Sequence, residues 1–101
     1  MVTSSTAGTV QLSPQVSESL SLDLGFLAFI RESVSRHRLG DFGQLVGPAL
    51  EASQAAFCFG GRYVTSYGYS ESSSHLFGQQ LVIVSPVARD TTFVSFRGEL
   101  F

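Results

Sequence analysis

The sequence predicts a single α+β domain in which helices come first and an antiparallel sheet follows. Three observations predict it. Apolar residues recur every three or four positions up to Phe59, whereas beyond Gly60-Gly61 they alternate or run continuously. Residues that start and stop helices bracket each helical stretch. A chain of 101 residues, 44% of them hydrophobic, has material for one modest core. Residues 1–7 are small and polar with nothing to bury, so we expect a flexible lead-in there and one domain over residues 8–101.

The elements follow in order. Gly8 to Leu12 (GTVQL) is a short β-prone run. Ser13-Pro14 then starts a short helix to about Ser21, because serine caps with its side chain and proline has no amide to leave unpaired. Asp23 caps the next helix, whose Leu24, Leu27, Ile30 and Val34 step as a buried stripe widened by Phe26 and Phe29. Arg36, His37 and Arg38 close it with cations where the helix dipole is negative, and Gly40 is available for a left-handed residue. Gly47-Pro48 opens a third helix, which Gly60-Gly61 stops near Phe59; its Ala49, Ala52, Ser53 and Ala56 make a small face.

Arg62 to Tyr69 places Tyr63, Thr65, Tyr67 and Tyr69 on one face of a strand and Val64 on the other. Ser70 to Gly78 is a loop by composition. Gln80 to Val84 (QLVIV) is apolar on both faces and belongs in the middle of the sheet. Thr91 to Arg97 alternates again, with Phe93 opposite Val94 and Phe96. The expected fold is therefore a short N-terminal strand, two to three helices and a three-stranded antiparallel meander with the helices on one face. Thr91 to Arg97 is the expected edge, where a second copy could pair to give a homodimer.

Composition narrows the function classes. A net charge of −2 and a pI near 5.5 argue against binding by phosphate neutralisation, which needs a clustered basic face. All six cations are arginine: Arg31, Arg36, Arg38, Arg62, Arg89 and Arg97. Arginine suits bidentate and stacked contacts. The one cysteine, Cys58, rules out an internal disulfide and fits a reducing, cytoplasmic location. Flanked by Phe57 and Phe59, it reads as a buried small hydrophobe. No run approaches about 18 apolar residues, so no membrane contact is expected, and residues 1–10 lack the features of a signal peptide.

His37 and Asp41 are the weak candidates for acid/base catalysis. They stand four apart, but Gly40 breaks the helix between them, and the alternative is that His37 interacts with carbonyls at the helix C-terminus while Asp41 caps the following turn. No G-x-S-x-G elbow surrounds any serine. His37, His75 and the scattered carboxylates lack ligand spacing, so neither a metal nor a cofactor is expected. Gly60-Gly61 leaves a helix rather than entering one, the wrong direction for cradling phosphate. For binding, the candidates are Arg36, Arg38, Arg62, Tyr63, Tyr67 and Tyr69, since tyrosine and arginine are enriched as interface anchors. The tyrosines read equally well as packed beneath the helices.

The run RHRLGDFG, preceded by a strand and a proline-started helix and followed by GGR before a strand, resembles a family of short plasmid-related proteins carried on plasmids and integrative elements. That family has an R-H-x-x-G-D-W-G centre, then G-G-R and a Ser-x-Tyr strand, and a final Thr-Thr strand. The matching residues include Gly8, Pro14, Arg36, His37, Gly40, Asp41, Gly43, Ala56, Gly60, Gly61, Arg62, Tyr67, Arg89, Thr91 and Thr92, with Ser85 where threonine is usual. Phe42 replaces the tryptophan, Ala49 an acid, Ser53 an asparagine, and Pro86 and Ala88 two acids. The resemblance implies a fold and a mobile-element setting rather than a reaction.

We therefore expect a small non-enzymatic accessory protein of a phage or plasmid. It would bind a host or mobile-element protein, with inhibition of a defence system such as CRISPR or restriction as one form. The alternatives are a nucleic-acid-binding regulator using Arg31, Arg36, Arg38 and Arg62, which the net charge disfavours, and a hydrolase centred on His37 and Asp41.

Overall fold

The computed structural model describes residues 9–74, 76–87 and 90–99. The expected lead-in, His75, Ala88 and Arg89 lie outside the described residues. The order is β1 (Thr9–Leu12), α1 (Pro14–Leu20), α2 (Leu24–Arg38), α3 (Gly47–Phe59), β2 (Tyr63–Gly68), β3 (Gln80–Ser85) and β4 (Thr91–Phe96). The α+β class and the succession of elements follow the sequence pattern.

Local chemistry sets the boundaries. Ser13 Oγ accepts from the Val16 amide at 3.2 Å and donates to Glu99 Oε1 at 2.7 Å, so one hydroxyl caps α1 and ties it to the segment after β4. The Asp23 carboxylate accepts from the Gly25 amide at the start of α2. Gly60, at φ 92°, takes the left-handed conformation that ends α3, as glycine does without penalty.

The sheet differs from the expected meander in one respect. Its order is β1-β4-β3-β2, with β1 parallel to β4 and the other pairs antiparallel, so it is mixed and four-stranded. β3 is central, as its two apolar faces require. β4, expected at the edge, is interior because β1 pairs along it: Thr9 donates to Asp90 O at 3.0 Å and Ser13 to Val94 O at 2.8 Å. A four-residue strand carries no signal of its partner, and parallel pairing needs the long crossover that the helices supply.

The core lies between one sheet face and α1 with α2. Leu81, Ile83, Val94, Phe96 and Tyr67 pack against Val16, Phe26, Ile30 and Val34. The buried stripe of α2 runs through Phe26, Ile30, Ser33, Val34 and His37, and Leu24, expected within it, is 87% exposed. Counting apolar residues misplaced the stripe because two of its members are polar. α3 packs mainly against β2 rather than sharing the α1 and α2 layer, and Ser53 is its buried residue. Cys58 is consequently exposed, not buried. Among the described residues no helix is long and apolar enough to cross a membrane.

Candidate functional site

The junction from Arg36 to Gln44 brings the most distinctive residues of the sequence together. α2 ends in a Schellman closure. The Asp41 amide donates to Arg36 O at 3.0 Å and the Gly40 amide to His37 O at 3.2 Å, with Gly40 at φ 81°. The hydrophobic contact that commonly crosses such a closure is replaced by charge, since Arg36 Nε donates to Asp41 Oδ2 at 2.7 Å. Asp41 Oδ1 accepts from the Gly43 amide at 3.0 Å, so one carboxylate holds the helix end and the following turn.

The turn then lies against the outer edge of β2. Gln44 donates to Ser66 O at 2.7 Å, Ser66 donates back to Phe42 O, and Gly43 bridges Ser66 in parallel. Ser53 Oγ of α3 accepts the Val64 amide at 3.1 Å. This edge is closed by backbone and hydroxyl together. Gly43 is at φ 63°, and a Cβ there would stand 2.1 Å from Ser66 O and 2.6 Å from the Tyr67 ring. Only glycine permits that approach.

His37 points the other way, into the sheet, and is 0% exposed. Its Nδ1 lies 2.7 Å from Thr65 Oγ1 of β2, its Nε2 2.7 Å from Ser85 Oγ of β3, and its ring stacks on Tyr63 at 4.4 Å between centroids. A neutral imidazole donates from one nitrogen and accepts at the other, and a hydroxyl serves in either role. One side chain thus spans two strands. Asp41, by contrast, is largely exposed and turned to Arg36. The structure does not join His37 and Asp41 into an acid/base pair, and no face of His37 is open to a substrate.

The tyrosines proposed as surface anchors are buried at 3% (Tyr63), 2% (Tyr67) and 7% (Tyr69). Their hydroxyls peg α2 to β2 and the residue after it. Tyr63 donates to His37 O at 3.1 Å, Tyr67 to Asp41 O, and Tyr69 to the Asp23 cap at 3.0 Å. Phe42 stands edge-on to Phe57 and Tyr63, an arrangement that needs no indole donor.

The ionisable groups follow these contacts. The Arg36 hydrogen bond, then the Gly43 amide, holds the Asp41 carboxyl below its ordinary range, and the same bond raises Arg36. Ser74, then Tyr69 and the helix amides, lower Asp23 against the opposing effect of burial. Burial raises Tyr67, and burial with donation to Asp23 raises Tyr69.

The arginines do not gather into one patch. Arg36 lies over the Tyr67 ring at 4.8 Å. Arg62 borders Val84, Pro86 and Phe93 on the other sheet face. Arg31 and Arg38 line a groove of about 510 Å³ between β1 and α2, with Val10, Leu12, Leu27, Ile30, Val34, Ser35 and Leu39. Sequence reasoning missed this groove, because its walls belong to β1 and α2 and only the parallel pairing of β1 sets them side by side. It also missed Thr65, Ser85 and Ser53, whose hydroxyls have no distinguishing pattern. Among the described residues no cluster of three metal-ligating side chains occurs. No protein-family model, curated protein or solved structure matches the chain.

His37→Ala removes a fully buried ring and strands two hydroxyls, so it lowers the unfolding free energy by about 3–5 kcal/mol in urea titration. Gly43→Ala costs a comparable amount, about 2–4 kcal/mol, through overlap and left-handed strain. Asp23 and Asp41 are both depressed in the folded state. Their contribution is therefore present above the unfolded carboxyl pKa and lost as pH falls through the folded values. Urea midpoints accordingly drop below about pH 4, and Asp41→Asn makes that drop shallower.

Proposed function

We propose that the protein is a non-catalytic protein-binding module, and that it serves a phage or plasmid as an accessory acting on a host or mobile-element protein. The groove between β1 and α2 carries this reading, since it combines an apolar floor with arginines at its rim. Concave apolar surface with arginine is the composition of protein-binding patches. The consumption of His37 by internal contacts supports it further. The mobile-element setting rests on the RHRLGDFG resemblance, and interference with a defence system such as CRISPR or restriction is the form of action it suggests. Arg36 and Arg62 stand on surfaces apart from the groove that holds Arg31 and Arg38, which weighs against a nucleic-acid regulator, since that concentrates its cations.

Affinity capture from lysates of several defence-bearing bacterial strains is expected to recover one partner at stoichiometric yield. No partner in any strain contradicts the reading. Titration with duplex and single-stranded DNA at low salt is expected to give no binding; binding that weakens steeply with salt would instead favour the regulator.

A further inference from the structure

We infer that the outer edge of β1 is a docking strand for an extended segment of another protein, one that carries acidic side chains flanking an apolar one. This deepens the protein-binding reading and rests on it.

The two edges of the sheet are treated differently. The β2 edge is covered by Phe42 to Gln44 and by Ser53. At the other edge, Thr9 and Ser13 turn their amides inward to β4, so alternation directs the backbone groups of Val10 and Leu12 outward. Among the described residues no strand pairs with them. An unpaired edge is a template for strand addition. Beside it lies the groove. The side chains of Val10 and Leu12 form one wall, and Leu27, Ile30 and Val34 of α2 form the other. A strand added at β1 would place every second side chain over that floor.

Charge selects the occupant. Arg31 and Arg38 line the groove, and among the described residues no acidic one lines it with them. They are seven residues apart on α2, two turns, so they share a face about 10 Å apart along the axis. Alternate residues of a strand advance about 6.6 Å and every fourth about 13 Å. Given the length of arginine, an acid–x–apolar–x–acid segment puts a carboxylate at each guanidinium and the apolar residue between them. A second copy fits poorly. β1 (TVQL) has no acid to offer, and antiparallel pairing of two copies of β1 would bring their Arg31 and Arg38 side chains together. The partner is therefore a different chain.

The test uses the full-length protein and a labelled synthetic peptide with a central Glu-Thr-Val-Thr-Glu, against a control bearing lysine in place of both glutamates. We expect the acidic peptide to bind at least about tenfold more tightly than the control. Binding should slow hydrogen exchange at the Val10 and Leu12 amides. Val10→Pro, which deletes an outward amide and no bond to β4, should abolish binding. Arg31→Glu combined with Arg38→Glu, both on the exposed helix surface, should invert the preference toward the lysine peptide. Should Val10→Pro fail to fold, that inversion decides alone. Absence of peptide binding, equal binding of the two peptides, or protection elsewhere than β1 overturns the inference. The broader reading is judged separately: a partner captured equally by wild type, Val10→Pro and the Arg31→Glu/Arg38→Glu variant overturns the β1 site but leaves the module a protein binder, whereas capture of no partner at all contradicts the broader reading.

Discussion

A buried histidine bonded to hydroxyls of two strands is the contact on which the arrangement depends. His37 is the last buried residue of α2, and through Thr65 and Ser85 it fixes the end of that helix over β2 and β3 together. Burying an imidazole is costly unless both nitrogens are engaged, and here both are. With the helix end fixed, Gly40 and Asp41 can reverse the chain, and Gly43 can bring it within backbone contact of Ser66. Tyr63 and Tyr67 of β2 and Tyr69 just after it repeat the device, their hydroxyls reaching the end of α2, the turn behind it and the cap before it.

This accounts for the composition of RHRLGDFG almost residue by residue. Arg36 and Asp41 clamp the closure, His37 joins helix to sheet, Gly40 supplies the left-handed residue, and Gly43 supplies the space. The motif most suggestive of catalysis is thus occupied by folding contacts. Under the protein-binding proposal, a surface that combines shape with charge is the groove beside β1.

Much of the fold was legible because local signals agreed with the global result. Ser13-Pro14, Asp23, Gly40 and Gly60 mark ends that the structure reproduces, and QLVIV lies at the centre of the sheet. The failures share one cause. The pairing of β1 with β4, the burial of His37 and Ser33, and the exposure of Leu24 and Cys58 depend on contacts between distant segments, which neither periodicity nor composition records. The groove was illegible for the same reason. Its arginines are visible in the sequence, but their common setting is created by a parallel pairing.

The central claim, that His37 holds helix to sheet, is tested most directly by a double-mutant cycle on His37→Ala and Ser85→Ala, read by urea unfolding. A coupling free energy of at least about 1 kcal/mol is the predicted result, because each substitution destroys the same bond. Additive effects with no coupling would contradict it.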